Sequence, residues 1–152
     1  MSWNIKTFEQ LSAQELYSIL QIRNAVFIVE QNCAYQDVDN KDLAALHLFY
    51  TKDNSIVAYC RVLPAGLSYP EISIGRVLTV KSVRKQGLGK VLMEQAIQYI
   101  KEHWPKQNIR ISAQGYLKDF YAGFGFKAVG QPYLEDDIPH IAMLLDLSLQ
   151  FK

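Results

Sequence analysis

The sequence predicts a mixed β-sheet flanked by helices, an α/β fold in the broad sense that includes α+β arrangements. Two observations carry that expectation. Strand-like and helix-like segments alternate irregularly, with hairpin connections as well as crossovers. The run Ile72-Ser-Ile-Gly-Arg-Val-Leu-Thr-Val80 is almost continuously apolar, the pattern of a strand covered on both faces.

Residues 3–8 read as a short first strand. Ser12-Ala-Gln-Glu15 has capping-box spacing, in which the serine accepts from the backbone N–H at Glu15 and the glutamate reaches back to the serine N–H. Leu16, Ile19, Leu20, Arg23 and Phe27 recur at helical spacing, so residues 12–30 are expected to form an amphipathic helix. Residues 31–44 are polar and irregular. Two β-rich runs, 46–51 and 56–63, flank Lys52-Asp53-Asn54-Ser55, which is hairpin chemistry. After the connection 64–70 comes the apolar run 72–80, where Gly75 suggests a bulge or a close approach to the backbone. A basic, glycine-containing turn precedes Leu88, Val91, Leu92, Ala96, Ile97 and Ile100, which mark a helix closed by Pro105. The remainder reads as a strand at 108–113, a short helix at 116–124, a strand at 126–129 and a terminal strand at 141–149.

Composition narrows the class. The 152 residues, 49% apolar and 20% charged, suit one globular domain over 1–152, which can bury roughly 70% of its unfolded surface without staples. A net charge of +1 argues against a general nucleic-acid partner. Cys33 and Cys60 are too few for a disulfide scaffold, and His47, His103 and His140 show no metal-ligand spacing, so no metal is expected. The N-terminus lacks a basic segment followed by an apolar one, and no apolar run nears the roughly 18 residues that span a bilayer. No membrane partner and a cytoplasmic, reducing location are therefore expected.

The most informative stretch runs from Val77 to Lys90: strand, turn, helix, with Arg84-x-x-Gly87-x-Gly89 at the join. A helix N-terminus offers unpaired N–H groups and a partial positive charge, and glycines let a diphosphate approach them. Arg84, Lys85 and Lys90 add side-chain charge. A Walker A loop does not fit, because Gly89-Lys90 is followed by Val91, and a dinucleotide fingerprint does not fit, because Leu92 stands where its last glycine belongs. The plainer reading is a tight turn with a solvated basic face.

Arg84-x-x-Gly87-x-Gly89 after an apolar strand resembles the acetyl-CoA-binding motif of the GNAT N-acetyltransferase superfamily. Ile111-Ser-Ala-Gln114, Phe120-Tyr121 and Phe124-Gly-Phe126 resemble the second half of that signature. The flanks, Arg23-Asn-Ala-Val-Phe27-Ile-Val-Glu30-Gln31-Asn-Cys33-Ala-Tyr35, Asp39, Asp42 and Ile138-Pro-His140, resemble its ElaA-like branch. The resemblance implies a mostly antiparallel, twisted sheet that splays at the cofactor site. Backbone groups of Leu78, Thr79 and Val80 would then pair with the pantetheine arm of acetyl-CoA. The turn Arg84, Lys85, Gln86, Gly87, Leu88, Gly89 and Lys90 would hold the diphosphate. Gln114 stands where it suits a hydrogen bond to the cofactor, or is a polar strand end.

The implied chemistry is attack of an amine on a thioester with expulsion of a thiolate. An amine of pKa near 10 is neutral in only about one molecule in a thousand at pH 7, so a base or a lowered pKa is required. The carbonyl oxygen needs an N–H donor, which a bulged strand at residues 75–80 would supply. Tyr121 matches the tyrosine that protonates the departing sulfur in many relatives. His140 is the base candidate, with Glu30, His47 or a water chain as other routes. Glu135-Asp136-Asp137 with Asp37, Asp39 and Asp42 form either an acidic rim for a cationic amine or solvated loop carboxylates. Arg23, on the apolar stripe of the first helix, is expected to pair with Asp39 or Asp42. Cys60 reads as an inert core residue and Cys33 as a loop thiol with no evident base. The expected function is acetyl-CoA-dependent N-acetyl transfer, direct from donor to a small-molecule or peptide amine, with a homodimer as a further expectation. The alternatives are transfer of a different acyl group, a CoA-binding sensor without turnover and an interaction protein that binds no CoA.

Overall fold

The protein is described by a computed structural model covering residues 2–147. Seven strands form one sheet: β1 (Ser2–Thr7), β2 (Leu46–Lys52), β3 (Ser55–Leu63), β4 (Ile72–Thr79), β5 (Asn108–Gln114), β6 (Lys127–Glu135) and β7 (Ile138–Asp146). They lie in the order β1-β2-β3-β4-β5-β7-β6, antiparallel throughout except for the parallel pair β4–β5. The helices are α1 (Ala13–Arg23), α2 (Leu88–His103) and the short α3 (Lys118–Ala122).

Local chemistry accounts for the element ends. Ser12 Oγ accepts from the Glu15 N–H at 3.0 Å, and Glu15 Oε1 accepts from the Ser12 N–H at 2.8 Å, the reciprocal cap that the spacing predicts. The first helix does not continue unchanged to residue 30. It widens at Asn24–Glu30 into π-helical turns, the last of which is closed by the Cys33 N–H on the Ile28 carbonyl. Asp53 and Asn54 both adopt positive φ, as a two-residue hairpin turn requires, and Asp136 and Asp137 do the same between β6 and β7.

Two strands are longer than their sequence patterns predict. β6 runs to Glu135 rather than ending at 129, and β7 begins at Ile138 rather than 141. β6 is an edge strand with mostly exposed side chains, so it carries no apolar alternation to read. Pro132 is tolerated there because an outer strand need not donate every N–H. The far end of the expected terminal strand, residues 148 and 149, lies outside the described residues.

Successive strand side chains point to opposite faces, so each central strand feeds two cores. Leu92, Met93, Ala96, Ile97 and Ile100 of α2 pack with Leu48, Ala58, Cys60, Val62, Ile72 and Ile74 on one face. Ile19 of α1 packs with Phe49, Tyr59 and Leu78 on the other. At roughly 1.5–3 kcal/mol for each fully buried aliphatic side chain, these layers fix the sheet between its helices.

Two irregularities interrupt the centre of the sheet. β4 and β5 pair only at Ile72↔Ile109 and Ser73↔Arg110 and then part. Between the pairs Arg61↔Gly75 and Tyr59↔Leu78, β4 sets two residues, Arg76 and Val77, against the single Cys60 of β3. The bulge that Gly75 suggested therefore falls just after it, with Arg76 at φ +50°.

Candidate active site

A cleft of ≈ 510 Å³ opens where β4 and β5 diverge. Gly75, Arg76 and Val77 of the bulge form one wall, and Ile111, Ser112 and Gln114 of β5 face them. Tyr121 of α3, His140 of β7 and the 135–136 end of the last hairpin complete one side. Phe27, Gln31, Cys33 and Tyr35, from the π-helical segment and the loop after it, complete the other. The two sides touch: Gln31 and Gln114 exchange amide hydrogen bonds at 3.3 and 3.4 Å, and Cys33 Sγ donates to the Asp136 carbonyl at 3.4 Å.

Tyr121 is 7% exposed, and its hydroxyl makes no hydrogen bond within the described residues. Burial raises its pKa further above the usual 10, so at neutral pH it is a protonated donor with its proton uncommitted among those residues. His140 donates from Nδ1 to the Ile138 carbonyl at 2.7 Å, because a carbonyl can only accept. That bond leaves Nε2 as the basic nitrogen of the neutral ring. A Glu135 carboxylate oxygen stands 3.4 Å from it, placed to stabilise the ring once protonated. The ring also stacks on Tyr133, whose hydroxyl is bonded to Ser112.

The glycine-containing turn leads directly into the N-terminus of α2. Gly87 caps α2 at φ +77°, with open space where a Cβ would stand and no side chain capping the helix. The first intrahelical bond is Val91 N–H to the Gly87 carbonyl, so the amides of Leu88, Gly89 and Lys90 precede the ladder. The first turn holds no acidic residue, and Lys90 sits there against the helix dipole. An anion at that end would resolve both. The diphosphate of an acyl-CoA thus fits the turn, and the parting of β4 from β5 leaves the outer edge of β4 open at Thr79 to an extended amide chain; Val80, expected to share in that pairing, is already engaged, its N–H on the Val57 carbonyl at 2.9 Å and its carbonyl on the Val83 N–H at 3.1 Å. Arg84 is differently employed. Its guanidinium pairs with both Glu30 carboxylate oxygens at 2.5 and 2.6 Å, and its Nε donates to the Thr79 carbonyl at 3.0 Å. Lys85 and Gln86 are exposed at the rim of the turn.

The other base candidates are occupied elsewhere. The pairing with Arg84 lowers the Glu30 pKa. His47 is fully buried. Its Nε2 donates to the Asp42 carbonyl at 3.0 Å and its Nδ1 accepts from the Tyr59 hydroxyl at 2.7 Å, so both nitrogens are satisfied in the neutral ring, and burial lowers its pKa. Cys60 is enclosed in the core, where burial pushes its thiol pKa upward.

Beside the cleft lies a network that the sequence pattern reveals only in part. Arg23, fully buried, pairs with Asp42 at 2.6 Å as expected, and with Asp37 at 2.9 Å rather than Asp39. Arg61 takes Asp39 with two bonds, at 2.6 and 2.8 Å, and Asp42 with a third. Arg76 takes Asp37 at 2.8 Å. Desolvation would raise the carboxyl pKa of Asp39 and of Asp42, but the arginine hydrogen bonds and charges outweigh it and hold both below the usual range. These three aspartates therefore anchor arginines, and the acidic edge of the cleft reduces to Glu135 and Asp136. A signal for the network exists in the sequence: an arginine inside each of two buried strands, at 61 and 76, demands a carboxylate partner.

Among the described residues no group of His, Cys, Asp or Glu is arranged to hold a metal ion, and no helix is long and apolar enough to cross a membrane.

Known proteins share both this sequence and this architecture. The Acetyltransferase (GNAT) domain family matches residues 8–147. Protein ElaA of Escherichia coli is 39% identical over 145 residues, covering 94% of this chain and 95% of that one. Its crystal structure superposes with a TM-score of 0.89, covering 95% and 99% of the two chains. The crystal structure of an acyl-CoA N-acyltransferase from Pseudomonas aeruginosa is 43% identical with a TM-score of 0.90, covering 94% and 97%.

Proposed function

The chain belongs to the GNAT acetyltransferase family, on its ElaA-like branch, and is an acyl-CoA-dependent acyltransferase; from that premise we propose that it passes an acetyl group from acetyl-CoA directly to a primary amine. The observation that carries the reading is the meeting of a tyrosine hydroxyl that has no hydrogen-bond partner among the described residues, an oriented histidine and a strand bulge in one cleft.

The bound donor supplies an activated carbonyl with a thiolate leaving group. Leu88, Gly89 and Lys90 hold the diphosphate through backbone N–H groups, with Lys85 and Gln86 at the rim. Thr79, which faces away from β3 between Leu78 and Val80, aligns the pantetheine arm as a further strand would, and Gln114 bonds to it from β5. The bulge at Arg76 and Val77, out of register with β3, offers an N–H to the carbonyl oxygen as charge develops there. Nε2 of His140 accepts the proton of the incoming ammonium, and Glu135 then faces the imidazolium. The freed amine attacks the acetyl carbonyl carbon, the C–S bond breaks as Tyr121 donates its hydroxyl proton to the departing sulfur, and the second proton, shed by the acylated nitrogen, returns to the Tyr121 oxygen. Glu135 and Asp136 favour a cationic acceptor, a small molecule or a peptide amine, at the mouth. Direct transfer is supported by the state of the thiols: Cys33 Sγ is bonded to the Asp136 carbonyl and Cys60 is enclosed, so neither is poised to carry the acyl group.

The test is release of free CoA thiol from acetyl-CoA against a panel of amines, with mass analysis of products and of the intact protein. An N-acetylated amine with no acetylated protein supports the reading. An acetyl-protein species that forms without amine and is discharged by it overturns direct transfer. Tight CoA binding without turnover on any amine overturns the enzymatic assignment of acetyl transfer.

A further inference from the structure

Arg76 is the one charged residue in the apolar run at 72–80, and it occupies the most strained position there. A non-glycine residue at φ +50° persists only where its surroundings over-determine it. The surroundings do so from the far side of the cleft. Arg76 Nε donates to Asp37 Oδ1 at 2.8 Å, and its Nη2 donates to the Asp37 carbonyl at 3.2 Å and to Asp39 Oδ2 at 3.4 Å. The guanidinium lies over the Tyr35 ring at 5.6 Å from its centre, and the Tyr35 hydroxyl donates to the same Asp37 Oδ1 at 3.0 Å. Asp37 is itself immobilised, since Arg23 donates Nε to its other carboxylate oxygen and Nη2 to its backbone carbonyl. A continuous chain of charge-assisted bonds thus runs from α1 through Arg23 and Asp37 to Arg76, in the middle of the bulge.

Plain burial of a charge does not require this arrangement. Arg76 is part-exposed and lines the cleft, so its guanidinium has access to water. What the bonds supply is a fixed backbone, because Arg76 has no freedom to relax out of the left-handed region while its head group is held. We propose that the Arg23–Asp37–Arg76 chain, with Tyr35 stacked on it, is a latch that holds the β4 bulge in register for polarising the donor's carbonyl. Asp37 and Arg76 are then positioning residues for transfer, not parts of the acceptor site. The inference rests on the acyl-CoA reading and specifies which side chains make its carbonyl site rigid.

Arg76→Gly cuts the tether without straining the backbone, since glycine adopts φ +50° freely, and Asp37 keeps its bonds to Arg23 when the Arg76 bonds are lost. Tyr35→Phe is the milder companion, deleting one bond to Asp37. The readout is the infrared band of acetyl-CoA labelled with carbon-13 at the acetyl carbonyl, free and bound, alongside calorimetric affinity, thermal unfolding and turnover. In the wild type the band is expected to move to lower wavenumber on binding, as a carbonyl accepting a fixed N–H does. Arg76→Gly is expected to remain folded with a lowered melting temperature, to bind acetyl-CoA within twofold, to lose most of the band shift and to turn over about 10- to 100-fold more slowly at an unchanged donor KM. Tyr35→Phe is expected to lose part of the shift. A folded Arg76→Gly variant with the full shift overturns the latch, and so does an unchanged shift in Tyr35→Phe should the first variant fail to fold. Binding by the wild type with no shift also overturns it. Failure of the wild type to bind acetyl-CoA overturns instead the reading on which it rests.

Discussion

Gly89→Ala and Gly87→Ala, two substitutions in one turn, should act with opposite signs on stability, and the stabilising one should weaken CoA binding. A Cβ on Gly89 would stand 3.8 Å from the Phe120 ring and 3.9 Å from Thr79 Cγ2, ordinary contacts that the free protein accommodates. Position 89 lies in the first turn of α2, so alanine should raise stability by about 0.5 kcal/mol through lower chain entropy. The same methyl group stands between the Thr79 side chain and the Phe120 ring, beside an amide assigned to the diphosphate. Losing one charge-assisted hydrogen bond costs about 1.5–3 kcal/mol, roughly a 10- to 150-fold rise in Kd for CoA. Gly87, at φ +77° with nothing within 4 Å of its would-be Cβ, has room for the methyl group but not the conformation. Alanine there should cost about 1–2 kcal/mol of stability. Calorimetric titration with CoA and urea unfolding of both variants provide the comparison. A stabilised Gly89→Ala protein that binds CoA within twofold of wild type would refute the assignment of the diphosphate to these amides.

Three further outcomes are expected. Tyr121→Phe should slow turnover by about 100-fold or more while leaving CoA affinity and stability unchanged, because its hydroxyl makes no bond within the described residues; wild-type turnover would remove it as the acid. His140→Ala should abolish the acidic limb of the pH profile of kcat/KM, and an unaltered limb would return the histidine to a structural role. Stability should fall as pH is lowered, in two stages. The first begins below about 6.5, where unfolding lets His47, kept neutral by burial, take up a proton. The second begins below about 4 and continues through the depressed pKa values of Asp39, Asp42 and Glu30, whose stabilisation is complete only above the unfolded carboxyl range. Urea midpoints measured from pH 7 to 2 test this, and a flat profile for wild type would contradict the arginine–aspartate network.

Where a short-range signal exists, the sequence carries the element. The Ser12–Glu15 cap, the Asp53-Asn54 turn and the strand–turn–helix around Gly87 are each determined by residues within a few positions of one another, and each is where the spacing places it. The outer half of β6 escapes such reading because an edge strand holding Pro132 shows no alternation. The widening of the first helix after Arg23 has no compositional mark at all. The site divides along the same line. Tyr121, His140, Gln114 and Gly75 all border one cleft, as motif order implies, whereas the role of Arg76 is hidden because its partner is 39 positions away. Long-range charge pairing leaves only a one-sided trace: a cation in an apolar strand says that an anion must come, but not from where. For Arg23 that trace leads to Asp42 and misses Asp37, which lies nearer in sequence.

The seam between β4 and β5 has a mechanical consequence. With only two residue pairs stitching it, the four-stranded and three-stranded portions of the sheet behave as leaves of a book whose spine is two rungs long. A donor seated in the opening would add the missing rungs to both leaves at once. It would therefore act as mortar as much as reagent, and the Thr79 amide proton, which faces the gap, should exchange more slowly once it is in place.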